Sequence, residues 1–317
     1  MKRFLIKTFL LLLPVVIVAV SMELMLRNIP NDSIYKKNYL DNHSKEIQIL
    51  ILGSSQAYFG INPDYFPQNT FNACHVSQSL DWDYEILKKY QNNFNNLKII
   101  IIPIAYHTLW GKLEYSVESW RIKNYAIYYG IKTKSLTNNS EILNGKLGVN
   151  IDRINNYYIK KNSEINYLKR GWGTGFDAEK SADELEVSGK YRAIGHLSDI
   201  HSKEKIKVFR ENLEILNSFA EFCNRNDVKL LLITTPVYHS YRDNLNEEQL
   251  NTMINTMNDF AAKHNNCIYL NWHENPDFIA EDYHDADHLS GKGAKKLSEK
   301  LVQYIDSLEI FKYIYSK

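Results

Sequence analysis

Cysteine is scarce in this chain: Cys74, Cys223 and Cys267 are the three among 317 residues. No two of them have Cys-x-x-Cys spacing, which argues against a disulfide framework and a cysteine-built zinc site. A surplus of charge of either sign is also missing, because 38 Lys and Arg stand against 37 Asp and Glu. Without a concentrated basic excess there is no electrostatic footprint for nucleic acid, so a nucleic-acid partner is not expected. Internal repeats and a second core are absent too. The remaining composition, 44% hydrophobic and 24% charged, is that of a globular protein rather than a disordered or fibrous one. The length suits one large domain or two ordinary ones.

One long apolar run is present, at the N-terminus. Lys2, Arg3 and Lys7 precede it, Thr8 to Val20 is apolar, and charge returns only at Glu23. Phe4 to Leu26 is long enough to cross a bilayer. Basic residues ahead of the run favour a cytoplasmic N-terminus and an exported remainder. Ala19-Val20-Ser21 is a poor cleavage site, and no Cys follows for a lipid anchor. Pro14 and an apolar circumference suit lipid better than a half-exposed helix of a soluble domain. Residues 1–27 therefore read as an uncleaved signal anchor or transmembrane helix, with a cleaved signal as the alternative. Residues 28–46, with Pro30, Asn31 and Asp32, read as a linker.

Five short apolar runs follow: Ile47 to Leu52, Thr70 to Cys74, Lys98 to Ile104, Val228 to Thr235 and Cys267 to Asn271. They are mostly rich in Ile, Leu and Val without alternation, as strands covered on both faces should be. Helical patterns over Tyr84 to Phe94, Ile206 to Asn224 and Leu250 to His264 separate several of them. That rhythm predicts a three-layer α/β/α sandwich with a mostly parallel five-stranded, flavodoxin-like sheet. Residues 105–205, rich in Tyr, Asn and Lys, read as an insertion into a single domain spanning 47–317.

In such a sheet ligands bind at the carboxyl ends of the strands. The first strand ends in Gly53-Ser54-Ser55-Gln56. A Gly there allows a tight turn, and a Ser opening the next helix would sit beside backbone donors suited to an oxyanion. An ordinary helix cap is the competing reading. Beyond the fifth strand stands His284-Asp285-Ala286-Asp287-His288, before a final helix. A nucleophilic Ser needs a base and an acid residue to orient that base. Asp285 and His288, three apart on one turn, can supply both.

These blocks, Ile51-Leu52-Gly53-Ser54-Ser55 and Asp285-Ala286-Asp287-His288, resemble those of the SGNH (GDSL-like) hydrolase superfamily, and more closely its membrane-anchored exported members. The resemblance covers about residues 47–305 apart from the insertion. It implies Ser55 as nucleophile, His288 as base and Asp285 as its orienter, with no metal and no cofactor. Ser54 stands where many members carry Asp. Members also place a Gly after the second strand and an Asn after the third, both donating to the oxyanion. Here the second strand leads to Ser77 and Gln78, the candidates to donate instead, and the third to Ala105-Tyr106-His107. The activity implied is an exported serine esterase or O-acyltransferase acting on an acyl ester of a surface polysaccharide or another envelope component.

Two other readings compete. His284 and His288 have the spacing with which a helix chelates zinc, although a third ligand is not evident. A lapsed enzyme that only binds a surface glycan is the second. For that purpose Pro236, Tyr238, His239 and Tyr241 could line a sugar pocket, or else form a rigid loop packed on the last helix. His43, His196, His201 and His264 have no context that separates them from surface histidines. Asp287, beside the proposed triad, is expected to tolerate replacement by Asn.

Overall fold

The computed structural model describes residues 1–311 apart from 163, 164, 166 and 179. The expected range 47–317 ends in residues that lie outside this description. In chain order the regular elements are α1 (Lys2–Arg27), α2 (Asp32–His43), β1 (Ile49–Ile51), α3 (Ser55–Gly60), β2 (Thr70–Asn72), α4 (Leu80–Tyr90) and β3 (Ile99–Pro103). The middle of the chain forms α5 (Ile122–Ile127), α6 (Glu141–Asn144), α7 (Leu147–Ile154) and α8 (Ala182–His196). Then come α9 (Lys203–Arg225), β4 (Lys229–Thr234), α10 (His239–Arg242), α11 (Glu247–Lys263), β5 (Cys267–Asn271), β6 (Tyr283–Asp285), β7 (His288–Leu289) and α12 (Gly291–Ser307).

Two compact units result: residues 1–37 with 117–165, and residues 38–116 with 166–317. The expected boundaries shift accordingly. Only 117–165 of the supposed insertion leaves the sheet unit. The stretch expected as a linker holds α2, because Asn31 Oδ1 accepts from the Ser33 and Ile34 amides at 3.0 and 3.1 Å and so starts a helix.

The second unit is built on a five-stranded sheet in the order β2-β1-β3-β4-β5, with every pairing parallel. This is the flavodoxin-like order, with its switch point between β1 and β3. Ile49, Ile51, Ile99, Ile101, Leu231 and Ile233 face one layer, where they pack with Ala57 to Phe59 of α3 and Leu297, Leu301 and Ile305 of α12. Successive strand residues alternate faces, so Leu50, Ile100 and Leu232 meet the opposite layer. There Thr234 touches Met253 of α11 at 3.9 Å, and α4 packs on α9 through Tyr84 and Phe219. All these strand residues are buried, at about 1.5–3 kcal/mol for each large side chain.

The turn after β1 is where the fold is tightest. Gly53 has φ +123°, and a Cβ there would stand 2.6 Å from the Pro103 ring at the end of β3. No L side chain satisfies both the dihedral and the space. Gly53→Ala should therefore destabilise the protein by about 2–4 kcal/mol in chemical denaturation. A change below about 0.5 kcal/mol would contradict this account of the turn.

Candidate active site

Ser55 is the first residue of α3, directly behind the β1 turn. Ser54 holds the cap position but makes no side-chain cap bond, so the cap reading of Gly-Ser-Ser does not describe this turn. Instead Ser55 Oγ lies 2.8 Å from His288 Nε2. His288 Nδ1 lies 2.9 and 3.1 Å from the two oxygens of Asp285. The acceptors facing Nδ1 are carboxylates, so the Nδ1 proton points at them and the Nε2 lone pair points at Ser55. The structure thus brings Ser55, His288 and Asp285 together in one hydrogen-bonded chain.

The Asp-x-x-His spacing is not one turn of helix. Asp285 and His288 are antiparallel cross-strand partners of the β6–β7 hairpin, joined by Ala286 and Asp287. The hairpin also answers the zinc reading, because His284 is not on a helix face with His288. Its Nδ1 bonds Ala178 O at 2.7 Å and its ring stacks on Phe176 at 4.2 Å.

Asp287, expected to be inert, is buried and central. Arg192 of α8 grips it through Nε and Nη2 at 2.5 and 2.8 Å, and its own Oδ1 is 3.5 Å from His288 Nδ1. Asp285, Asp287 and His288 form a cluster with metal-ligand atoms within 4.8 Å of one another. Among the described residues the cation beside it is the Arg192 guanidinium, 3.2 Å from Nδ1. Burial opposes charge on His288, but Asp287 and Asp285 outweigh it and lift the imidazole to about 9. Burial likewise opposes ionisation of Asp287, yet His288 and Arg192 hold it well below the usual carboxylate range. A base raised in the fold contributes stability below its ordinary value near 6.5, and loses it as pH climbs through about 9.

The other predicted positions fall as follows. Gln78 donates to Asp83 Oδ1 at 2.5 Å, and Asp83 also accepts from the Gly53 amide at 2.6 Å. Its side chain therefore braces the nucleophile turn. Burial pushes Asp83 up to about 7. Ser77 has φ +60°, the left-handed conformation that a Gly would take at no cost. Tyr241 is buried against Ala193, Val237 and Ala286, and Ser240 Oγ bonds Leu185 O at 2.7 Å. This loop packs on α8, and Tyr238 also joins the core cluster that holds Leu297, Leu301 and Ile305 of α12.

Several functional neighbours have no signature in the sequence. Gln56 links α3 to Asp287 O and to Thr235 Oγ1, both at 3.3 Å. Phe176 meets the His288 ring at 76° with ring centres 5.0 Å apart, and stacks on Phe59 with centres 3.9 Å apart. His196 is no surface residue: it stacks on His107 at 4.1 Å and meets Tyr241 Oη at 2.8 Å. Phe176, Arg192 and His196 all come from the stretch read as an insertion.

The family described as "Protein of unknown function (DUF1574)" matches residues 144–304, half of the chain. The chain belongs to the DUF1574 family. No curated protein matches it. Among solved structures, the DUF1574 chain is similar to a GDSL-like lipase of Bacteroides thetaiotaomicron, at 11% identity over 87% of this chain and 99% of that one, TM-score 0.42. It is similar also to a "putative acylhydrolase" of Bacteroides fragilis, at 10% identity over 86% and 95%, TM-score 0.41. The sheet order, the serine behind β1 and the Asp-x-x-His hairpin ahead of α12 give the DUF1574 chain an SGNH-like α/β fold.

The carboxylate pair makes a signed prediction. Asp287→Asn removes an anion facing His288 and should lower its pKa. Arg192→Gln removes a cation, leaves Asp287 unneutralised and should raise it. Imidazole NMR titration should show shifts of about one unit in opposite directions. Shifts of the same sign would contradict the geometry.

Proposed function

We propose that this protein is a membrane-anchored serine esterase or O-acyltransferase, with its active unit outside the cytoplasm and an acyl ester of a surface polysaccharide or another envelope component as substrate. The observation that carries the reading is the continuous chain from Ser55 Oγ through His288 to Asp285. In the first step the Ser55 proton passes to His288 Nε2 as Oγ attacks the acyl carbonyl. The ester C–O bond then breaks, and the leaving alcohol takes the proton from Nε2. Water or a sugar hydroxyl repeats the sequence and frees Ser55. The Ser55 and Gln56 amides, which precede the first carbonyl-bonded amide of α3 (Ala57 N to Ser54 O, 3.1 Å), are the candidate oxyanion donors. No cofactor enters these steps.

Two features support the anchor. α1 is the one helix among the described residues long and apolar enough to cross a membrane. Its end is also part of a folded unit: the Glu23 carboxylate accepts from Ser140 Oγ, Glu141 N and Ile142 N at 2.8, 3.1 and 3.1 Å. A discarded leader has no use for such bonds. The binding-only reading draws its support from Gln78, whose side chain serves Asp83 rather than an oxyanion.

Turnover of aryl acyl esters by the full chain tests the reading. Ser55→Ala and His288→Ala should each lower it by about three orders of magnitude or more, and the double variant little further. Strong chelators should leave it unchanged. A Ser55→Ala protein with wild-type turnover would sink the proposal, and a glycan bound without turnover by the parent would favour the binding-only reading.

A further inference from the structure

The unit formed by residues 1–37 and 117–165 carries features that ester chemistry does not use. Leu143, Leu147, Ile151 and Ile159 are exposed by 70, 60, 51 and 74%. Single exposed aliphatics are ordinary, but a cluster on one small unit marks an interaction surface. Charge is segregated in the same direction. This unit holds 14 Lys and Arg against 6 Asp and Glu, and the sheet unit 24 against 31. Within 117–165 alone the count is 8 against 4, with Lys146, Lys160 and Lys161 exposed around α7.

The depth of this surface follows from α1. At 1.5 Å per residue, a hydrocarbon layer of about 30 Å takes about 20 residues. Counted from Phe4, these end at Glu23. There the chain is joined by the start of α6, through the bonds to Glu23, and by Tyr158, whose hydroxyl donates to Met25 O at 3.0 Å. Leu143 and Ile159 follow these attachment points directly in sequence. The platform is also stiff. Buried Glu141 accepts from Lys123 Nζ, Arg153 and Tyr128 Oη at 2.6, 2.9 and 2.7 Å, which ties α5, α6 and α7 together.

We infer that residues 136–161 form an interfacial platform that lies in the headgroup layer of the leaflet from which α1 emerges, with Leu143, Leu147, Ile151 and Ile159 in the acyl boundary and Lys146, Lys160 and Lys161 on anionic headgroups. The occupant is the bilayer itself. It is favoured because α1 keeps exposed apolar side chains up to Leu24, beside the bonds that attach α6 to Glu23, and because the basic balance complements anionic lipid. The inference rests on α1 being retained as an anchor.

Depth-dependent fluorescence quenching in vesicles tests it on the full chain. The native cysteines are buried, so Leu147→Cys or Ile159→Cys can carry the only accessible label. Vesicles contain phosphatidylcholine with about 30% phosphatidylglycerol, and a spin label placed shallow or deep on the acyl chain. Labels at 147 and 159 should be quenched roughly twofold, more by the shallow probe. The same labels in vesicles without spin-labelled lipid set the unquenched level. Exchanging Lys146, Lys160 and Lys161 for Gln should weaken the quenching in anionic vesicles and not in pure phosphatidylcholine. A label at Leu12→Cys, quenched most by the deep probe, reports the anchor separately. Unquenched labels at 147 and 159 beside a quenched one at 12 would overturn the platform and leave the anchor standing. An unquenched label at 12 would overturn the anchor, and with it the leaflet assignment.

Discussion

Two carboxylates facing one buried imidazole cannot stand without a balancing cation, and Arg192 supplies it. Asp285 and Asp287 both reach His288 Nδ1, and a hairpin with only two residues between its partners forces them there together. Removing either charge of a buried pair leaves the other uncompensated, which costs far more than a surface ion pair returns. The docking of α8 is therefore a condition of the site. So is the packing that holds α8: Gly189 lets its backbone approach Ser240, and Ser240 bonds Leu185. His288 is held by a chain of constraints that reaches back through α10 to the end of β4.

The sequence made the sheet and the Ser55, Asp285 and His288 set legible, and left the surroundings of His288 hidden. Runs of Ile and Leu covered on both faces report a parallel strand from composition alone, and a Gly-Ser-Ser behind the first of them is visible as a tight turn. The helix starts were less legible, because Ser202 and Asn246 cap helices that begin three residues ahead of the apolar periodicity. Arg192 could not be found this way, since an Arg on a half-exposed helix looks the same whether it faces water or a carboxylate. His196 was hidden for a similar reason: its burial comes from α10 and from His107, both remote in sequence. Asp287 misled because nothing local distinguishes a turn carboxylate in solvent from one that carries a guanidinium.

The two units divide the work in physical terms. One is basic, carries exposed aliphatic side chains and contains the helix able to span a bilayer. The other is acidic overall and buries its chemistry under Phe59 and Phe176, which shield His288 from water on one side. Burial opposes charge on the imidazole, but Asp287 and Asp285 outweigh it, so His288 loses its charge only as pH climbs toward about 9.

The central claim is that Ser55 is a nucleophile activated by His288. A serine-directed fluorophosphonate, followed by peptide mass mapping across a pH series, reads it without knowledge of the substrate. The account predicts one adduct, at Ser55, forming faster as pH rises toward about 9, and none in His288→Ala. An unmodified Ser55 at every pH, or an adduct indifferent to the loss of His288, would contradict it.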